Sequence, residues 1–364
     1  MEPIRRVEVL TYRIPTEEPE ADGTFSWDST TCVVVRVEAG GRRGLGYTYG
    51  SSACAVVVDE LLRPVVVGAD ALDVDAAWSA MVRAIRNQGR PGIASMSIAA
   101  VDCALWDLKA RLLDRPLTGL LGAVRDDVPV YGSGGFTSYS DERLVSQLER
   151  WVGDRIDLVK IKIGESWGTK EHRDLERTAL ARRTIGAATK LFVDANGAYE
   201  RNQAIRVGQR LVELGVSWFE EPVSSDDLVG LRAVRAALGL DVAAGEYGYD
   251  LPYFERLLRA EAVDVIQIDA SRCAGISGFL RIARYAEQSG FEVSGHTAPS
   301  LHLHAACAVP NLRHLEYFHD HARVERLLFD GVRDPKGGSL APDRSSPGCG
   351  LALKEADAAS YRVA

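Results

Sequence analysis

The sequence predicts an α/β protein, a (β/α)8-type barrel that carries an N-terminal α+β capping domain. Three observations predict it. The chain has 364 residues, more than one ordinary domain of ~100–200 residues, and enough for two or for one large barrel with additions. Its first third places strands before helices. From residue 128 onward, eight short apolar runs alternate with amphipathic helical stretches, the texture of βα units closing into a barrel.

Residues 4–15 contain the strand-like VEVLTYRI, and residues 30–50 read as two strands around an Ala39-Gly40-Gly41 turn. Between them, Glu17–Ser29 (EEPEADGTFSWDS) has the composition of a mobile loop or lid. From Ala53 to Gly122 the apolar spacing becomes helical, and three helices are expected. The eight barrel strands are expected at 128–134, 158–164, 190–196, 216–222, 242–246, 263–269, 291–296 and 314–318. This divides the chain into a capping domain at 1–125, a barrel at 126–325 and a tail at 326–364 that returns to the cap.

Composition excludes several function classes. Apolar residues make up 46% and charged residues 26%, so the chain has material for a packed core and no disorder signature. The formal charge is -8 and no basic run is interleaved with aromatics, which argues against nucleic acid as a partner. No apolar stretch approaches the ~20 residues of a membrane helix and the start lacks a signal-peptide core, so a cytoplasmic protein is expected. The six cysteines are scattered singly, as buried free thiols are.

Polar residues end one proposed strand after another: Lys160 and Lys162, Asp194 and Asn196, Glu220, Glu246, Asp269, His296 and Glu316. In a parallel barrel these ends open on one face. Asp194, Glu220 and Glu246 follow each other at intervals of 26 residues, one βα unit each. Three converging carboxylates suit a hard divalent ion such as Mg2+, which prefers oxygen ligands. A lone acid would read as a helix cap or a solvated charge; the regular spacing overrides that reading. Strand alternation turns Lys160 and Lys162 to the same side, where each ammonium disfavours the other's charge and one lysine becomes a candidate base. Asp269 beside His296 orients an imidazole as a second acid/base. Structural or exposed roles are expected for His302, His304, His314, His319 and His321.

The ordered set K-x-K, D-A-N, W-F-E-E-P, G-E, Q-x-D, G-H and a late Glu resembles the enolase superfamily, and its Lys-plus-His-Asp arrangement the mandelate racemase subgroup. The resemblance spans nearly the whole chain. It implies a TIM-type barrel in the modified (β/α)7β form with a capping domain, and a homo-oligomer. It also implies that Asp194, Glu220 and Glu246 bind Mg2+. Lys162 is then the base on one face of the substrate, with Lys160 lowering its pKa, and His296 paired with Asp269 acts on the other. Glu316 matches a carboxylic acid that hydrogen-bonds the substrate carboxylate, Asn196 a position near substrate, and Glu221 a structural residue.

The chemistry so implied removes a weakly acidic proton next to a carboxylate. The ene-diolate carries extra negative charge on two oxygens, which Mg2+ and a donor at Glu316 stabilise. Returning a proton from the opposite face gives racemisation or epimerisation; expelling a β-hydroxyl gives a 2-keto-3-deoxy acid. Specificity is expected in the loop near 16–30, where Glu17, Glu18, Asp22, Phe25 and Trp27 mix charge and aromatics, and around Tyr47 and Tyr49. That mixture points to a polyhydroxylated acid, and the resemblance to a subgroup that acts mostly on acid sugars implies an acid-sugar dehydratase. A racemase or epimerase, a lactone cycloisomerase, a non-catalytic metal-binding barrel and a Schiff-base aldolase are the alternatives.

Overall fold

The computed structural model describes residues 1–363: a three-stranded antiparallel sheet with its helices, set against a closed barrel of eight parallel strands. The sheet comprises β1 (Arg6–Ala21), β2 (Ser26–Ala39) and β3 (Arg42–Tyr49). Alternate residues of a strand share a face. Cys32 and Val34 of β2 enter the core shared with the barrel, together with Leu10, Tyr12 and Ile14. Val35 and Val37 enter a second core with Ile98, Val101 and Leu105 of the cap's own helices. The sheet is thus a middle layer, so β2 reads as an unbroken apolar run.

Four helical segments follow where three were expected: residues 53–66, which include a π-turn at Val58–Leu62, then Val74–Ala84, Ile93–Leu112 and Leu117–Leu121. The extra one is short, begun after Pro116 and ended by Gly122 at φ 75°. Ile93–Leu112 is buried on nearly all sides and lies directly on β3. Gly46 permits that approach, since a Cβ there would sit 2.3 Å from Ala100 O and 2.4 Å from Ala104 N. Gly46→Ala is expected to destabilise the protein by about 1–3 kcal/mol, the range for overpacking, read as a lower urea midpoint.

The segment expected as a mobile loop is a continuation of β1 and β2 into a long hairpin over the barrel mouth. Register slips between Pro15 and Glu20 and resumes with Glu20 opposite Trp27. Asp22 closes the tip, its Oδ1 accepting from the backbone N–H groups of Thr24 at 2.6 Å and Phe25 at 2.8 Å. The tip is tied to barrel loops: Thr137 Oγ1 donates to Asp22 O at 2.7 Å and Trp167 N to Gly23 O at 2.9 Å.

The barrel strands are β4 (Val128–Gly134), β5 (Leu158–Lys162), β6 (Lys190–Asp194), β7 (Val216–Glu220), β8 (Asp241–Ala244), β9 (Val265–Ile268), β10 (Glu292–Gly295) and β11 (Leu312–Phe318). Each pairs in parallel with the next, and β11 pairs with β4 to close the ring. Tyr131, Phe192, Trp218, Ala243 and Val265 fill one interior layer, with the His314 ring packed edge-on to Tyr131 at 4.8 Å. After the helix His319–Leu328 the tail returns along the molecule. Ser339–Leu340 pairs antiparallel with the start of β4. Cys349 N donates to Asp107 Oδ1 at 2.7 Å, Arg36 pairs with Glu355, and Val363 N donates to Thr11 O at 2.9 Å. The six cysteines are free, five of them buried and Cys349 half-buried. No helix among the described residues is long and apolar enough to cross a membrane.

Candidate active site

The C-terminal ends of the barrel strands bring the predicted acids together. Asp194 ends β6, Glu220 ends β7, and Glu246 lies two residues beyond β8. One carboxylate oxygen from each lies within 4.8 Å of the others, and all three residues are buried. Burial and the neighbouring Asp194 push Glu220 above the usual carboxylate range. Glu246 Oε2 has no hydrogen bond and only a 3.4 Å contact with His296 Nε2. An all-oxygen donor set, mutual repulsion and an unsatisfied oxygen fit Mg2+. Mg2+ at about a hundredfold excess over its Kd should add ~2.7 kcal/mol of stability. A melting point higher by several degrees than in EDTA, lost in Asp194→Asn, checks this.

Lys160 and Lys162 project from β5 into the barrel as alternation requires, yet they sit at different depths. Lys160 is 0% exposed and does not reach the cavity. It pairs with Glu220, with Glu316 Oε1 at 2.9 Å and with Asp194 Oδ2 at 3.6 Å, a cation set beneath the acids. Lys162 pairs with Asp194 and faces the cavity. Burial is the largest influence on the Lys162 pKa and lowers it, and Lys160 adds to that, but the Asp194, Glu246 and Glu220 carboxylates together outweigh both and the net shift is upward. Lys160 thus acts in the expected direction, within a larger balance set by burial and the acids.

His296 lies just beyond β10, with Nδ1 2.9 Å from Asp269 Oδ2. Burial lowers its pKa, but Glu246 and the Asp269 hydrogen bond together raise it to about 9, so the ring is an imidazolium at neutral pH. Asp269 also accepts from Ser271 N and Oγ, both at 2.7 Å. For Glu316, burial opposes the charge, yet among the chain's own groups Lys160 and His296 hold its pKa down to about 2. It accepts from Thr297 N at 3.0 Å. Thr297 itself sits at φ 48°, in the left-handed region that a β-branched residue avoids.

A cavity of about 540 Å3 joins these groups to the cap. Lys162, Asn196, Glu246, His296 and Glu316 form its floor; Asp22, Thr24, Phe25, Trp27 and Tyr49 come from the cap. The predicted contacts Asn196, Trp27 and Tyr49 thus share one cavity with the acid/base groups. Glu17 and Glu18 instead pair with Arg143 outside it, and Tyr47 donates to the buried Glu325 at 2.6 Å. Glu221 is buried with its pKa raised by burial and by Glu246.

Several cavity residues were not found in the sequence as site groups, Arg272 and His321 among them. Arg272, three residues after Asp269, donates from Nη1 to Glu246 O at 2.9 Å and Glu246 Oε1 at 3.2 Å. His321 stacks on Tyr49 with ring centroids 3.5 Å apart, so its expected structural or exposed role is corrected to a cavity wall. The signal for Arg272 was its place just after a strand end; His321 had none beyond proximity to Glu316. The other histidines are structural: His302 Nε2 accepts from Ala270 N at 2.7 Å, His304 Nε2 lies 3.0 Å from Cys349 O, and His319 pairs with Glu17.

Comparison with known proteins agrees with this geometry. Residues 5–122 match the mandelate racemase/muconate lactonizing enzyme N-terminal domain, and residues 143–357 match the enolase C-terminal domain-like family. A 3,6-anhydro-alpha-L-galactonate cycloisomerase of Streptomyces coelicolor is 34% identical, covering 96% of this chain and 97% of its own. An L-talarate/galactarate dehydratase of Salmonella typhimurium is 33% identical, covering 76% and 70%. A solved mandelate racemase/muconate lactonizing enzyme-like protein from Rubrobacter xylanophilus superposes with a TM-score of 0.96 at 49% identity, covering 99% of this chain and 100% of that one. A Streptomyces coelicolor racemase solved with bound magnesium gives 0.93 at 31% identity, covering 99% and 100%. The matched domains cover both the cap and the barrel: the chain belongs to the mandelate racemase/muconate lactonizing enzyme family of the enolase superfamily.

Proposed function

We propose that this chain dehydrates an acid sugar to a 2-keto-3-deoxy acid, beginning with abstraction of the C2 proton. The observation that carries the reading is the placement of Lys162 and His296 on one cavity from opposite sides of the barrel, on β5 and just after β10. Lys162 takes the C2 proton when it is neutral; burial and Lys160 favour that form and Asp194 opposes it. Mg2+ held by Asp194, Glu220 and Glu246 supplies positive charge that favours the extra negative charge growing at the carboxylate end.

His296 is charged and held by Asp269, so it can give its proton to the β-hydroxyl as that group leaves as water. The enol left behind tautomerises to the 2-keto acid. A substrate carboxylate arriving beside Glu316 raises the Glu316 pKa and lets it take a proton, which turns it from acceptor into donor. Thr24, Ser29, Thr30 and Thr31 line the cap side of the cavity and suit a chain of hydroxyls. The full-length likeness to a cycloisomerase supports a second reading, in which the substrate's own ring oxygen is the leaving group or nucleophile.

Proton NMR of the Mg2+-loaded protein with pooled aldonic and aldaric acids in deuterated water tests both. Loss of a C2 proton signal with new methylene resonances establishes dehydration; an isomeric product without loss of water supports the cycloisomerase. His296→Asn should retain C2 exchange while elimination falls by about 10²–10⁴-fold, the usual contribution of a general acid. Equal loss of both steps in that variant would contradict the assigned role.

A further inference from the structure

Among other differences, the substrates named for two curated relatives differ in charge: a 3,6-anhydrogalactonate carries one carboxylate, whereas talarate and galactarate carry two. The cavity of this chain bears on that difference. Among its described lining residues the cations are Lys162, Arg272 and His296. Lys162 and His296 belong to the reacting end. Arg272 is already engaged, by Glu246 O and Oε1, by Asp269 Oδ2 at 3.5 Å and by the face of Tyr247. His321 is neutral, its pKa lowered by burial to about 4. No cation therefore remains for a second carboxylate.

The cap side holds acids and hydroxyls instead. Asp320 bonds Thr30 and is balanced by Arg323, whose Nη2 donates to it at 2.7 Å. Asp22 has no such counter-ion on the cap. Its Oδ1 takes the two turn N–H groups and Thr24 Oγ1 at 3.1 Å. Burial raises its pKa, while Lys162 across the cavity and the turn N–H groups favour the carboxylate. A carboxylate facing the cavity accepts from substrate hydroxyls and repels a like charge.

We propose that this site selects monocarboxylic sugar acids and rejects dicarboxylic ones, with Asp22 as the specificity-determining residue. The inference rests on the C2 proton-abstraction reading above. The test compares pairs with one carbon skeleton, galactonate with galactarate and gluconate with glucarate. Two readouts are taken: C2 exchange and kcat/KM for the Mg2+-loaded wild type, and calorimetric binding to Lys162→Ala. The monoacid of the preferred skeleton should lead by about a hundredfold in kcat/KM, and Asp22→Asn should narrow the gap by about tenfold, mainly through KM for the diacid. Asp22→Ser, which retains a turn-capping oxygen, guards against a folding defect in the first variant. Diacids bound and turned over as well as monoacids, or an unchanged ratio in both variants, would overturn the selection while leaving proton abstraction intact. Absence of C2 exchange with every acid of either class would overturn the abstraction reading, and the selection with it.

Discussion

Lys162→Ala should reduce C2–H exchange by a thousandfold or more, near the upper part of the ~10²–10⁴-fold range for a positioned base. Lys162 is the lysine of the K-x-K pair that reaches the cavity, whereas Lys160 is sealed beneath it. The deletion also frees Asp194 from an ammonium partner, so Mg2+ binding should persist or tighten. Exchange followed by NMR, with the Mg2+-dependent melting shift recorded on the same sample, separates the two effects. A variant that binds Mg2+ normally and still exchanges C2–H at the wild-type rate would place the base elsewhere.

Lys160→Met should have its main effect on stability. Lys160 is the buried cation among Glu220, Glu316 and Asp194, and the variant leaves those carboxylates without it. Removing one partner of a buried ion pair costs about 3–5 kcal/mol, because the remaining charge stays out of water. Urea unfolding in EDTA should show this loss, and Mg2+ should recover part of it by adding positive charge to two of the same acids. The Glu316 pKa, held near 2 chiefly by Lys160, should rise, which infrared titration of the carboxyl band can follow. A midpoint unchanged in EDTA would show that Lys160 contributes only to catalysis.

The barrel was legible because its strands are buried apolar runs of the right length, and most carry near their ends a charged residue that an apolar core would exclude. Asp194, Glu220 and Glu246 advertised themselves by a spacing set by the length of a βα unit. The hairpin was not legible, since its EEPEADG stretch is acidic, is broken by Pro19 and Gly23, and lacks the apolar alternation of a strand. Its order comes from Thr137, Arg143 and Trp167, more than a hundred residues away. The charge state of Glu316 was hidden for the same reason: only the folded barrel sets it 2.9 Å from Lys160. Arg272 is placed by the fold, between Glu246 and the face of Tyr247, and only its position just after a strand end marks it in the sequence.

The contacts between the tail and the cap put an order on events during synthesis. The first strands leave the ribosome early, but the barrel ring closes only when β11 emerges to pair with β4. Asp107, Arg36 and Thr11 then wait for Cys349, Glu355 and Val363, the last partners to be translated. Until then the barrel-facing side of the cap sheet, with Cys32, Val34 and Tyr47, is uncovered apolar surface. Truncations that remove Glu355 and Val363 should therefore shift the protein toward aggregation rather than toward a shorter soluble form.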